Sequence, residues 1–184
     1  MRLELPEGID YTKYTSTSGM STKHWGPGYW VFLFTSIMGT YPYKIDETSK
    51  DDIEIKDSFV NTIKSLILLL PCIFCRESLN GFMYELPIEN YTGGRIEMMY
   101  WLYLIKDKVN KKLLLQEREA FEEKKKELDM IYPKDSKKYI STLNDCIENS
   151  FKTEETPPFE YILDQYESIR ASCSIKAKKC VIKK

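Results

Sequence analysis

The strongest constraint on this chain is a series of apolar stripes at three- and four-residue steps, each bounded by proline or glycine. Trp30, Leu33, Phe34, Ile37 and Met38 make the first within 28–38, ended by Tyr41-Pro42. Phe59, Ile63, Leu66, Ile67 and Leu70 make the second, stopped by Pro71. After Thr92-Gly93-Gly94, Met98, Trp101, Leu102, Ile105, Val109 and Leu113 make another, and Pro157-Pro158 launches Phe159, Ile162, Leu163, Tyr166, Ile169 and Cys173. This period is that of helices with one buried face. Proline breaks a helix interior but suits the first turn of the next helix. No segment alternates convincingly with the two-residue period of a strand. The expected fold class is therefore all-α, a small helical bundle.

The 184 residues suffice for one domain with a real core plus a tail and loops. With 27 basic and 28 acidic side chains the formal net charge is -1, so nothing global points to nucleic acid or an anionic membrane. Residues 1–20 lack the apolar core of a signal peptide, and the longest apolar run, 66–75, is interrupted by Pro71 and too short to span a bilayer. The expectation is a soluble, cytoplasmic protein. Residues 116–129 turn into charge and read as a solvated helix extension, broken by Tyr132-Pro133. A polar connection follows, with a short helix around 139–147. The organisation expected is a flexible segment over 1–20, a helical domain over 21–173 with an insertion at about 116–157, and a basic tail over 174–184.

Five cysteines are an odd number, unsuited to a disulfide scaffold. Cys72 and Cys75 flank Ile73-Phe74 directly after Pro71, which puts them at a helix start. A dithiol there is redox-active, because the helix N-terminus stabilises a thiolate. Structural zinc needs four ligands, usually as two close pairs. Cys173 and Cys180 are widely spaced and the single histidine, His24, lies elsewhere, so no metal is expected. One histidine also leaves no material for a Ser-His-Asp or Cys-His-Asn arrangement. Cys146 reads as an isolated thiol.

The order of these pieces resembles the FAD-linked sulfhydryl oxidases of the Erv/ALR type, and more closely their versions in large DNA viruses. Trp25-Gly26 with Trp30, followed by Tyr41-Pro42, looks like that family's first helix. The CxxC follows a hydrophobic helix, as it does there. Val109-Asn110-Lys111-Lys112-Leu113 is similar to the family's His-Asn-x-Val-Asn-x-x-Leu flavin segment, and 166–173 looks like the last helix of the viral members. The resemblance runs from Trp25 to about Leu113 and resumes from Pro158 to Cys173.

The resemblance implies a four-helix bundle with an additional short helix and a C-terminal extension, holding FAD beside the dithiol. It implies that Cys72 is attacked by a substrate thiolate and that Cys75 faces the flavin. Electrons would pass from a protein dithiol to Cys72–Cys75, then to FAD and to molecular oxygen, with release of hydrogen peroxide. Implied cofactor contacts on the first helix are Gly26, Trp30, Phe34 and Tyr41. Those on the flavin segment are Lys106, Asp107, Val109, Asn110, Lys112 and Leu113, beside Cys75. Implied partners are thiol-containing protein substrates and a second copy of the chain, paired through the first two helices. The compartment implied is the cytoplasm, or the virus factory or virion of a large DNA virus. Cys173 and Cys180 are either a shuttle disulfide or a helix-face thiol and a tail thiol.

Three positions depart from the family pattern. Phe34 and Lys106-Asp107 stand where the family has histidine and His-Asn. A phenyl ring keeps a stacking face, and a lysine offers a point charge to a phosphate. A carboxylate at 107 lacks amide donors and repels phosphate. Two alternatives therefore stay open: a cofactor-free CxxC oxidoreductase, and a degenerate, non-enzymatic helical interaction module.

Overall fold

A computed structural model describes residues 5–174 and 179–182: six α-helices, then a two-stranded ribbon. The helices are α1 (Thr22–Thr40), α2 (Lys50–Leu69), α3 (Ile73–Glu85), α4 (Arg95–Ile131), α5 (Lys137–Ser150) and α6 (Phe159–Ser168). The molecule is thus mostly helical, in agreement with the expected all-α class.

The helix ends follow from local chemistry. Tyr41 ends α1 in an extended conformation, since the ring of Pro42 disfavours helical backbone in the residue before it. Pro71 stops α2 in the same way at Leu70. The start of α2 lies well before its apolar stripe, because the Ser49 hydroxyl accepts the Asp52 N–H at 3.3 Å and Asp51 and Asp52 sit at the positive end of the helix. At the head of α4, a β-carbon on Gly94 would collide with the Tyr43 carbonyl, so glycine alone permits this approach. There the Arg95 N–H donates to Pro42 O at 2.8 Å and its Nε–H to Tyr41 O at 2.8 Å, which locks the α1 exit against α4.

From Gly94 the helix runs unbroken for 37 residues, through the charged stretch expected as a solvated extension. The short helix expected at 139–147 is longer, α5, capped by the Ser136 hydroxyl on the Tyr139 N–H at 3.1 Å.

The last helix departs from expectation. The apolar stripe extends to Cys173, yet α6 stops at Ser168 and Ala171–Ser174 (β1) pairs antiparallel with Lys179–Ile182 (β2). The cause is tertiary. Arg170 forms a double contact to the Glu167 carboxylate, both at 2.8 Å, and its Nη1 donates to Met38 O at 3.2 Å. The chain is turned onto the end of α1 instead of continuing as helix.

The core forms where the first half of α4 meets α1, α3 and α6, with α2 laid on α3. Trp101, Tyr41, Phe34, Ile37 and Ile63 are its largest fully buried side chains. Their polar atoms are satisfied: the Trp101 indole donates to Leu86 O at 2.9 Å and the Tyr41 hydroxyl to Thr92 O at 2.9 Å. Phe34 stacks on Tyr166 with centroids 5.0 Å apart, joining α1 to α6. The second half of α4 lies against α5, where Tyr139 donates to Asp129 at 2.7 Å.

Candidate redox site at the junction of α2 and α3

Pro71 separates two helices, and Cys72 occupies the cap position of the second. Its backbone is extended (φ -146°, ψ 120°), and its Sγ accepts the Cys75 N–H at 3.3 Å. The sulfur thus takes the place a serine or aspartate oxygen takes in an ordinary N-cap. The Cys72 carbonyl accepts the Arg76 N–H at 3.1 Å, opening α3. Arg76 also donates from Nη1 to Leu70 O at 3.2 Å, which places a cation on the carbonyl end of α2.

Both thiols are free and half-buried, while Ile73 and Phe74 between them are exposed. The Cys75 thiol is pushed up to about 12, first by burial and then by the neighbouring Cys72 sulfur, with Lys112 pulling weakly the other way. In the dithiol state Cys75 therefore keeps its proton and Cys72 is the acceptor of the pair. Lys112 reaches this corner from α4, where its Nζ donates to the Ser78 hydroxyl one turn beyond Cys75.

The positions expected to hold a cofactor divide into two groups. Trp30 and Lys106 meet across α1 and α4, with Nζ 5.7 Å from the indole centroid, and burial lowers the lysine's pKa. Lys106 and Asn110 line a cleft of about 330 Å³ closed on the far side by residues 152–155 and 157. Asn110 is held there by Thr156 at 3.0 Å. Asp107 is ion-paired with Lys111 at 2.7 Å, which offsets the charge that had counted against this segment. Val109 is half-buried, Leu113 is exposed, and a side chain on Gly26 would meet nothing within 4 Å.

Phe34 and Tyr41 belong to the other group. Both are fully buried, and their rings are engaged by Tyr166 at 5.0 Å and by Phe59 at 5.9 Å. They are core residues here, with no free face for a ligand.

Cys173 and Cys180 are direct cross-strand partners in the β1–β2 register. The reading of Cys173 as a helix-face thiol is thereby corrected, since it lies beyond α6. Cys146 sits half-buried on α5. Sequence reasoning missed the Arg76 contact to Leu70 and the closure of the 106–110 cleft by residues 152–157, which no local pattern announces. Among the described residues no group of His, Cys, Asp and Glu could hold a metal, and no helix is long and apolar enough to cross a membrane. Compared with known proteins, the chain matches no family model and no curated protein.

Proposed function

We propose that this protein is an FAD-dependent thiol oxidase that forms disulfides in protein substrates through Cys72 and Cys75. The observation that carries the reading is the cap geometry: two free thiols on the first turn of α3, with Cys72 Sγ on the Cys75 N–H and an exposed Ile73-Phe74 between them.

In the oxidised state a substrate thiolate attacks Cys72 Sγ, the Cys72–Cys75 bond breaks, and the electron pair leaves on Cys75 sulfur. A second substrate thiolate then attacks the mixed disulfide and releases Cys72. Substrate leaves as a disulfide, and the chain holds two electrons and two protons as its dithiol. The raised affinity of Cys75 for a proton makes its thiolate the poorer leaving group and keeps the sulfur protonated once the dithiol has formed, while Arg76 and Lys112 flank the region where charge develops. The exposed Ile73 and Phe74 supply an apolar landing around the reacting sulfur.

The residues fit part of the cofactor. Lys106, Lys152 and Asn110 bring two cations and an amide to one cleft, a donor set suited to a pyrophosphate, although Glu154 and Glu155 line the same cleft. Trp30, Cys75, Lys106, Asn110 and Lys112 are the residues that would hold FAD; Phe34 and Tyr41 support it only as core. When bound, FAD would accept the electron pair of the dithiol and deliver it to oxygen, giving hydrogen peroxide.

The four-helix arrangement of the Erv/ALR type with an additional short helix is supported by the packing of α1 and α3 on α4 and of α2 on α3, with α6 added against α1 and α4. Pairing of two copies through α1 and α2 is supported by exposed Val31 and Phe32 on α1 and Leu68 and Leu69 on α2. A shuttle role for Cys173 and Cys180 is supported by their register. Opposed antiparallel residues have Cα atoms about 4.5–5.5 Å apart, within the range of about 4.4–6.8 Å that disulfides span. The burial of Phe34 and Tyr41 favours one second reading, a CxxC oxidoreductase working without flavin.

An absorption spectrum of the purified protein tests the proposal. The expected result is a flavin band near ~450 nm, bleached by dithiothreitol and restored by air. Cys75→Ala should keep the helical content and lose thiol oxidation; retained turnover with dithiothreitol in that variant would sink the mechanism. A colourless protein with an active dithiol would move the assignment to the second reading.

A further inference from the structure

The segment before α1 lies on the dithiol loop, and nothing in the proposed chemistry uses it. The Met20 N–H donates to Pro71 O at 2.6 Å, and a β-carbon on Gly19 would stand 2.7 Å from that same oxygen and 3.4 Å from Cys72 Cα. The Trp25 indole N–H donates in turn to Met20 O at 3.2 Å, and the His24 N–H to Ser21 O at 3.1 Å. Residues 15–20 carry no charge. They are exposed, so little burial holds them in place and the contact to Pro71 is their anchor.

The position of this contact matters. Pro71 has no N–H, and its carbonyl lies between the end of α2 and the start of α3, outside either helix ladder. The Pro71–Cys72 peptide sets the extended backbone that aims Cys72 Sγ at the Cys75 N–H. Its two neighbours are already fixed: Leu70 O by Arg76 Nη1, and Cys72 O by the Arg76 N–H. The Met20 bond supplies the remaining constraint, and glycine at 19 is what lets the segment come close enough to make it.

We propose that Gly19 and Trp25 are positioning residues for Cys72, acting through a clasp of Met20 on the Pro71 carbonyl that holds the dithiol in its capping geometry. The inference rests on Cys72–Cys75 being the working dithiol. The clasp holds the capping geometry of two free thiols, with Cys72 Sγ on the Cys75 N–H, and closing a Cys72–Cys75 bond draws that sulfur off the N–H, so loss of the clasp favours the disulfide form.

The test equilibrates the full-length protein with glutathione in the absence of oxygen. Two glutathione molecules are oxidised to their disulfide as Cys72–Cys75 takes up two electrons and two protons. Wild type, Gly19→Ala, Trp25→Phe and the control Ser18→Ala are compared by mass spectrometry of the 72–75 peptide, beside urea unfolding. Gly19→Ala and Trp25→Phe should shift the equilibrium about threefold to tenfold toward the disulfide, the range of one hydrogen bond, while the urea midpoint of the disulfide form stays unchanged. Trp25→Phe keeps an aromatic ring and carries the test should Gly19→Ala fold poorly. A shift below twofold in a folded Trp25→Phe overturns the proposal. A wild-type protein that forms no Cys72–Cys75 disulfide at any glutathione ratio overturns the dithiol reading as well, and is distinguished by appearing before any variant is made.

Discussion

Replacement of Phe34 separates a core role from a cofactor role at one position. Its ring is fully buried, 5.0 Å from Tyr166 on α6 and 6.4 Å from Trp30 on its own helix. Phe34→Ala removes the ring from a close-packed site, at a cost of about 3–5 kcal/mol. Phe34→Leu keeps most of the volume, costing under ~1.5 kcal/mol for the change of shape. Loss of the stacked pair adds about 0.5–1.5 kcal/mol. With a urea slope of about 2 kcal/mol per molar, Ala should lower the unfolding midpoint by about 2 M or more and Leu by about 0.3–1.5 M. Urea titration followed by far-UV circular dichroism measures both, beside the flavin content of each preparation. The Ala variant should also loosen α6, which shows as cleavage by a protease within residues 159–168. An Ala midpoint within ~0.3 M of wild type would refute the packing argument. So would a Leu variant that is as stable as wild type yet has lost bound flavin, since that pattern belongs to a ring seated on the cofactor.

The remaining predictions concern the thiol and the indole. The folded dithiol form holds the Cys75 proton up to about 12, while the unfolded chain releases it near the ordinary thiol value of about 8.5. Between those limits the unfolded state binds fewer protons, so stability should fall as pH rises from about 9 toward 12, and more steeply than in the disulfide form, where the buried tyrosines with raised pKa values still contribute a slope. Thermal melts of both forms across that range check the sign, and identical slopes would contradict it. Trp101→Phe leaves the Leu86 carbonyl without its donor and should cost about 2 kcal/mol. An unchanged urea midpoint would mean that water replaces the indole.

Much of the helical layout was legible because its determinants are local. Pro42, Pro71 and Pro133 act on the residues beside them, and each helix they bound ends there. The early start of α2 was also open to reading, since Ser49 followed by Asp52 is a cap pattern in its own right. The end of α6 was not. Ile169 and Cys173 fall on the helical face, and the chain turns because Arg170 binds a carbonyl at the far end of α1. The dithiol was legible for the same local reason as the prolines. The duty of Phe34 was hidden, because a ring in the core and a ring on a ligand obey the same period. The Met20 contact left no trace at all, lying in a run of small polar residues with no pattern.

α4 carries a consequence for motion. Its 37 residues span about 55 Å, and the residues buried among the core, Met98 to Ile105, all lie in its first third, with Leu128 the one buried residue near its far end. Amide protons in that first third are released only when the whole domain opens. Those beyond Leu113 depend on the pairing with α5, which buries little, and exchange through a smaller opening of lower energy. A single continuous helix is thus divided between two cooperative units. The hairpin it makes with α5 can melt and re-form while the dithiol end stays folded.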